Sequence, residues 1–493
     1  MFQNKSIVIL RTFTSQEVRQ FDEYLRSPFF NKNQTIIQAF DIIKAWFPLF
    51  EHPNLERTLL YKLIFNNEQF DEQKLRYLMT DLTKHLEEYL CYKAISEEQI
   101  FKYHLLLYTY RLRRLDKAFL NTLKLAEKAL NDQPRRDVSH AFYQYLIEED
   151  RYRFMSDRRE HLHETNLQQV VDNLDKYYIL NKMRYSAEII NNKNVVAINY
   201  KLFLYDEIMN HIRHNPLDYV PSAKIYYNII LTLTEPENKI HYTNLLDLLK
   251  EHHQLFSKEE IFEMYVYAKN YCIRKINHGD VEYIRELFDL YKVMLKDRII
   301  FKENYLSQFD YKNIVYLGLR ISEFDWVKNF ISKYNEHLDP AIRQNAYTFN
   351  MAYYHFFQNN YDEVLTLLRS VEFTDFYYHL DSKSLLLKTY FELEETEALF
   401  SLIEAFKVYI KRNNLIPAYQ KTGYINMIKL SSKLYKWKLN PKNNIQDIVD
   451  EFNNTKPVVD VLWMRKKLET LQPGLPEASG GFGIADIAHG PLR

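Results

Sequence analysis

The sequence predicts an all-α protein, in which a helical N-terminal domain leads into an α-solenoid of helical hairpins. Apolar residues recur at helical spacing along the chain, and no period-two strand pattern of any length occurs. Glycine is scarce, with eight residues in 493 and none before Gly279. This scarcity removes the Gly-rich phosphate loops, the dinucleotide fingerprint and the nucleophile elbow, which all need glycine at fixed spacing. An apolar repeat then runs through residues 161–412.

Residues 1–160 are predicted to form the helical N-terminal domain. Its first helix begins at a capping box, in which Thr14 caps the helix and Glu17 reaches back. This helix ends before Pro28, because proline disfavours a helical residue before it. Further helices are predicted over 34–47, 55–65, 72–92, 97–111 and 114–131. The polar stretch 132–134, which ends in proline, predicts a break.

Five apolar quartets at positions i, i+3, i+4 and i+7 each mark one stripe of a helix. Their first members are Tyr242, Ile284, Val327, Val364 and Leu399, spaced 35 to 43 residues apart. A short polar turn and another helix precede the quartets, so the repeating unit is a helical hairpin. A hairpin of this size cannot bury its apolar stripe alone and must stack on its neighbours.

The chain beyond the repeats divides into two segments. Residues 413–472 are predicted to form a helical cap, with Trp437 and Trp463 over the apolar end of the last hairpin. Residues 473–493 hold five of the eight glycines and three prolines. We interpret them as a flexible tail, or as a segment that docks in extended form into a groove.

Composition narrows the function classes. Basic and acidic residues number 65 each, so the basic excess typical of nucleic-acid-binding proteins is absent. Cys91 and Cys272 have no metal-ligand or disulfide spacing, which fits a reducing compartment. The apolar run from Ile7 to Leu10 is too short for a signal peptide or a membrane span. We therefore expect a cytoplasmic protein that does not contact membranes.

The segment at residues 350–371, NMAYYHFFQNNYDEVLTLLRSV, resembles a tetratricopeptide repeat. Ala352 stands at the small-residue position, Asn359 at the turn position usually held by Gly, Tyr361 at the turn aromatic and Val364 at the usual Ala. The neighbouring hairpins match more loosely, and their spacing exceeds the 34-residue period. This resemblance implies stacked helical hairpins with a concave groove.

Residues 1–472 as a whole resemble an uncharacterised family of Bacteroidetes helical-repeat proteins. The segments that carry this resemblance are LRTFTSQEVRQFDEYLRSPFFNKN, LDKYYILNKMRY, NYCIRKINHGD and GLRISEFDW. The resemblance to this family implies no activity.

An asparagine recurs fourteen residues before the first member of the apolar quartets. The series consists of Asn228, Asn270, Asn313 and Asn350, and an earlier unit with Val195, Ile198 and Leu202 places Asn181 at the same position. Leu385 breaks the series in the last unit. The tetratricopeptide resemblance places this position in the concave groove, where an amide supplies the donors and the acceptor that an extended peptide backbone needs. Two other interpretations stay open: a structural ladder, in which each amide bonds a neighbouring turn, and chance.

Cationic and aromatic residues share the same assumed face. They are Lys269, Lys312, Arg184, Arg320, Tyr227, Tyr316 and Tyr353. Cations beside amides and tyrosine rings favour a peptide with acidic side chains or a free carboxylate. The sequence therefore predicts a non-enzymatic scaffold that binds an extended segment of a protein partner, with Lys269 and Lys312 selecting acidic character.

Two alternatives from other function classes stay open. The arginines between residues 111 and 159 offer a surface for nucleic acid, although acidic residues interleave them. The N-terminal domain offers a binding surface for a regulatory subunit of an enzyme complex. We expect no metal, cofactor or catalytic site: His211 and His214 lack the further ligands of a zinc site, and no Ser or Cys nucleophile stands in a recognisable context.

Overall fold

The computed structural model describes residues 4–66, 68–158, 166–193, 200–215, 221–369, 376–441 and 444–471. Across these ranges the chain is helical, and no strand forms beyond a single bridge between Lys302 and Tyr305. The predicted all-α class is confirmed. The predictions made for residues 473–493 lie outside the described residues. None of the helices described is long and apolar enough to cross a membrane.

The chain divides into two compact units. The first comprises Met1–Pro134 and Ser139–Lys176, and the second comprises Arg135–Val138 and Tyr177–Arg493. The boundary after Lys176 falls within a long helix, whereas the sequence analysis places its boundary at residue 160. The division does not separate residues 413–472 from the hairpins before them.

The first unit is built from helices α1 to α8 and the beginning of α9. They are α1 Lys5–Leu10, α2 Ser15–Arg26, α3 Gln34–Lys44, α4 Arg57–Ile64, α5 Glu72–Glu97, α6 Gln99–Leu112, α7 Asp116–Asp132, α8 Val138–Asp157 and α9 Leu167–Lys193, with a 3-10 turn at Pro53–Leu55. The predicted capping box is present: the Thr14 hydroxyl accepts from the Glu17 backbone, and the Glu17 carboxylate accepts from the Thr14 backbone at 2.7 Å. Helix α7 ends at Asp132, before the predicted break.

Two apolar clusters hold the first unit together. One cluster joins α1 to α5 around fully buried side chains such as Phe21, Phe40 and Leu82. The other joins α6, α7 and α8, where the Phe119 and Phe154 rings stack at a centroid distance of 4.0 Å.

The second unit contains the rest of α9 and fourteen further helices among its described residues. They are α10 Tyr205–His214, α11 Pro221–Thr234, α12 Lys239–His252, α13 Lys258–His278, α14 Glu282–Lys296, α15 Gln308–Arg320, α16 Phe324–Tyr334, α17 Arg343–Phe357, α18 Tyr361–Leu368, α19 Phe376–Leu393, α20 Thr396–Arg412, α21 Ala418–Leu439, α22 Ile445–Asn454 and α23 Val461–Leu471. Short 3-10 turns follow α12 at His253–Leu255 and α16 at Asn335–His337.

Helices α11 to α20 pair into five successive hairpins. The five apolar quartets begin in the second helix of each hairpin, namely α12, α14, α16, α18 and α20, and each of these helices packs against the helix before it. Val371, the last member of the fourth quartet, lies outside the described residues. The first helices also meet one another, because α11 contacts α13, α15 contacts α17, and α17 contacts α19. One apolar cluster runs from Met183 to Leu385, so the first four hairpins and α19 share a continuous core.

The turns inside four of these hairpins place one residue in the left-handed backbone region. That residue always lies five positions before the first member of the quartet, and the four are Gly279, Ser322, Asn359 and Glu394, with φ of 106°, 63°, 61° and 61°. Glycine adopts this region without steric cost, whereas other residues are disfavoured there. Asn359, which the resemblance assigns to the turn position usually held by Gly, has this conformation.

The last helices close the stack. A separate apolar cluster extends from Leu380 to Leu468 and joins α19 and α20 to α21, α22 and α23. Trp463 packs against this cluster, with its ring 5.2 Å from that of Phe391, and its Nε1 donates to Glu392 at 2.9 Å. Trp437 is half-buried near the end of α21.

Candidate functional site

All five asparagines of the predicted series lie in α9 or in the first helix of a hairpin. Asn181 is in α9, and Asn228, Asn270, Asn313 and Asn350 are in α11, α13, α15 and α17. Asn228, Asn270 and Asn350 are buried, whereas Asn181 and Asn313 are half-buried. The three buried asparagines therefore lie on the faces of α11, α13 and α17 that pack against other parts of the chain.

Four of the five asparagine amides donate hydrogen bonds to acceptors within the protein. Asn181, Asn228 and Asn350 each donate from Nδ2 to the carbonyl oxygen four residues earlier, at 3.5, 2.8 and 2.7 Å. Asn270 donates to the side-chain oxygen of Asn191 in α9 at 3.4 Å. Each of these bonds occupies one of the two N–H donors on Nδ2, and it uses neither the second N–H nor the amide oxygen Oδ1.

Three lysines of the first helices pair with aspartates from later elements. The pairs are Lys269–Asp310 at 2.7 Å, Lys312–Asp381 at 2.6 Å and Lys388–Asp460 at 2.8 Å. All six side chains are at most 15% exposed. The sequence analysis offers Lys269 and Lys312 to an acidic peptide, but in the structure an aspartate balances the charge of each. The positive charges of Lys269 and Lys312 are therefore neutralised inside the protein.

A hydroxyl group completes each of these ion pairs. Tyr291 donates to Asp310, Tyr424 donates to Asp381, and Ser384 donates to Asp460. Burial disfavours the charge of Lys269, yet Asp310 and Tyr291 hold its pKa above the ordinary value. Burial also raises the pKa of Tyr291 to about 12, so this hydroxyl stays a donor. Each buried carboxylate thus has the partners that it needs.

A cavity of ≈ 260 Å³, which we call the cap groove, lies between α15, α17 and α19 and the chain around α23. Three predicted residues line it, namely Tyr316, Arg320 and Tyr353. The tyrosine rings lie 5.8 Å apart in a T-shaped arrangement, and the Arg320 guanidinium stands 5.6 Å from the centre of the Tyr316 ring. Aromatic rings of this kind supply contact area and cation–π attraction at little entropic cost.

Residues from the later helices complete the cap groove. Lys388, Lys466, Lys467 and Arg320 contribute four cations, and Glu392 and Asp460 contribute two carboxylates, which leaves an excess of positive charge. Among these residues, Lys388 pairs with Asp460, and Lys467 binds Glu392 at 2.6 Å.

A smaller cavity of ≈ 40 Å³, which we call the side pocket, adjoins the cap groove. Lys312, Asn313 and Asn350 line it, and Tyr316 and Tyr353 line both cavities. Six of the twelve predicted residues therefore meet at this end of the second unit.

The other six predicted residues lie elsewhere in the second unit. Tyr227 and Asn228 line a separate cavity of ≈ 430 Å³ formed by α10, α11 and α12. Arg184 pairs with Glu263 at 2.8 Å. Asn181, Lys269 and Asn270 make the contacts described above and line neither the cap groove nor the side pocket.

The sequence analysis missed Lys388, Asp460 and Lys466. A signal for Lys388 was present, because it stands three residues after Leu385, in the same register as Tyr316 and Tyr353 after their asparagines. No periodic signal marks Asp460 or Lys466, since both come from the chain beyond the repeats.

Four of the arginines between residues 111 and 159 form ion pairs with carboxylates. Arg111 binds Asp157 at 2.7 Å and Arg153 binds Glu149 at 2.7 Å. Arg151 and Arg158 also form ion pairs, the partners being Glu127 and Asp116. Arg159 lies outside the described residues. This surface therefore carries positively and negatively charged side chains next to one another.

Among the residues that the structure describes, no group of three or more His, Cys, Asp and Glu side chains is arranged to hold a metal ion. Cys272 is buried in contact with the Tyr242 hydroxyl at 3.1 Å, and burial raises its pKa to about 12, so it is not a nucleophile. Comparison of the chain with family models, curated proteins and solved structures finds no match.

Proposed function

We propose that the chain is a non-enzymatic adaptor, in which a tetratricopeptide-like solenoid holds an extended segment of a protein partner in the cap groove. The observation that carries this proposal is the convergence of Tyr316, Arg320 and Tyr353 from successive first helices on one cavity of ≈ 260 Å³. Two successive first helices, α15 and α17, thus contribute these side chains to a single cavity. Clefts with an apolar lining and a few oriented polar groups are typical binding sites.

The charge of the cap groove supports an acidic segment. The lining holds four cations and two carboxylates, and Arg320 and Lys466 contribute two of the positive charges. A guanidinium and an ammonium both donate charge-assisted hydrogen bonds to carboxylates. Selection of acidic character is therefore assigned to Arg320 and Lys466 rather than to Lys269 and Lys312.

A nucleic-acid role has less support. The arginines of the first unit whose ion pairs are described above already have carboxylate partners, and phosphate binding would have to break these contacts. Release of counterions from nucleic acid would also require a cluster of uncompensated cations.

The test is a selection of random peptides displayed on phage against the full chain, followed by fluorescence anisotropy with the selected peptides. We expect selected sequences to be enriched in Asp and Glu. The double variant Arg320→Gln/Lys466→Gln is expected to bind them about tenfold or more weakly, because each lost charge-assisted bond contributes on the order of 1 kcal/mol.

The matched control removes two positive charges elsewhere on the second unit. Lys258 and Lys296 are exposed and line neither the cap groove nor the side pocket. Lys258→Gln/Lys296→Gln should bind the peptides as the wild type does. The proposal fails if no peptide is selected above background, or if the groove and control variants bind equally well.

A further inference from the structure

The side pocket is too small for a large ligand but large enough for the end of one short side chain. A cavity needs a volume of about 10–15 Å³ to hold a single water molecule, and the side pocket has a volume of ≈ 40 Å³. This volume fits a hydroxyl-bearing or carboxamide-bearing group of a few atoms. Tyr316, Tyr353, Lys388 and Asp460 line both the pocket and the cap groove, so a segment bound in the groove passes its mouth.

The charges around the side pocket disfavour an ionised occupant. Lys312 with Asp381 and Lys388 with Asp460 contribute two cations and two carboxylates, all buried or nearly so. An ammonium group that entered would approach both lysines, and a carboxylate would approach both aspartates. Because the existing pairs are balanced, an added charge would be buried without a counter-charge of its own.

One residue that lines the side pocket carries a buried acceptor without a donor. Asn350 is fully buried, and its Nδ2 donates to the carbonyl oxygen of Ala346 at 2.7 Å. Its Oδ1 meets no hydrogen-bond donor among the described residues. Turning the amide over would set Oδ1 against the Ala346 oxygen, so the hydrogen bond fixes the orientation. A buried acceptor of this kind ordinarily has a partner.

We infer that the side pocket holds one small, uncharged side chain of the bound segment, which donates a hydrogen bond to Asn350 Oδ1. Serine, threonine and asparagine have the required size and donor. This inference rests on the proposed function, because the segment that delivers the side chain lies in the cap groove. Asn350 then acts as a specificity-determining residue, while Arg320 and Lys466 select the acidic character of the same segment.

The first test uses the wild-type chain and one peptide obtained by the phage selection. The selected sequences should share a position held by Ser, Thr or Asn, at a constant distance from their acidic residues. Replacing Thr by Val at that position keeps the shape and removes the donor, and it should weaken binding about tenfold by isothermal titration. Replacement by Asp or Lys should weaken binding further, since the pocket has no counter-charge for either.

The second test uses two leucine variants of the full chain. Asn350→Leu keeps the branching at Cγ and the number of side-chain heavy atoms and removes the acceptor, and it should make the Thr and Val peptides bind equally. Asn228→Leu is the matched control, because Asn228 is also buried and donates to the carbonyl oxygen four residues earlier, but lines a different cavity. This control should keep the preference for Thr. Circular dichroism of both variants reports whether they fold.

The outcomes separate the two proposals. Selected peptides without a shared Ser, Thr or Asn position, or a Thr-to-Val change that leaves wild-type binding within twofold, overturn the inference and leave the adaptor function standing; the side pocket then holds only water. The inference is also overturned if the Asn350→Leu variant prefers the Thr peptide over the Val peptide as strongly as the wild type does. A selection that yields no peptide refutes the adaptor function and, with it, the inference.

Discussion

Gly318 allows α15 to pack closely against two neighbouring helices. A methyl group built on its Cα would lie 2.9 Å from Phe288 Cε2 and still closer to Val327 Cγ2. Neither Phe288 nor Val327 is exposed, and Phe288 is held by Trp326 at a ring distance of 4.9 Å. The added methyl group therefore has no room unless these side chains move.

Gly318→Ala sets two effects of opposite sign against each other. Alanine in a helix interior is favoured over glycine by about 1 kcal/mol, whereas overpacking a close-packed core costs about 1–3 kcal/mol. Because two rigid neighbours are affected, we expect overpacking to exceed the helix gain. The variant should be less stable than the wild type by about 1–2 kcal/mol.

A double-mutant cycle tests the cause. Val327→Ala alone removes two buried methyl groups and should cost about 2–3 kcal/mol. In Gly318→Ala/Val327→Ala the new methyl group enters the vacated space, so the two costs should fall short of additivity by about 1–2 kcal/mol. Urea denaturation followed by far-ultraviolet circular dichroism measures all four proteins. A Gly318→Ala variant more stable than wild type, or a cycle that is additive, would refute the packing argument.

The two cysteines should differ in reactivity, because Cys91 is exposed whereas Cys272 is buried with a pKa raised to about 12. A disulfide reagent should modify one thiol in the native protein and two in denaturant, and two fast native thiols would contradict this. Burial also raises the pKa of Glu260 from its ordinary 4.5 to about 7, against the lowering effect of the hydrogen bond from Tyr226. The folded state then holds this proton more tightly than the unfolded state, so its stabilising contribution is full below pH 4.5 and is lost as pH rises through 7. Between pH 5 and pH 8 the free energy of unfolding of the wild type should fall by on the order of 3 kcal/mol relative to that of Glu260→Gln. Urea midpoints that change with pH to the same extent in both proteins would contradict the raised pKa.

The helices and their pairing were accessible from the sequence because they depend on local patterns. The apolar quartet that begins at Val327 has helical spacing, and its burial against the preceding helix follows from the need to cover an apolar stripe. The capping box at Thr14 and Glu17 satisfies backbone donors within one turn. Patterns of this kind act over a few residues and leave a trace in any single sequence.

The candidate site was accessible only in part. The repeat register correctly places Asn313 and Asn350 on the first helices of their hairpins, since side chains fourteen residues before the quartet share one helical face. The register does not tell which charges meet across helices. Lys312 is therefore a plausible ligand for a peptide in the sequence and a partner of Asp381 in the structure.

The sequence by itself determined the helical class and the apolar stripes of the helices, because helical periodicity and turn chemistry are local properties. The tertiary structure decided which polar groups are already satisfied and which remain available. Lys388 and Asp460 meet although 72 residues separate them, and the acceptor of Asn350 lacks a donor only because of what packs around it. The physical reason is that burial and ion pairing depend on the stacking of distant helices, which no local pattern encodes.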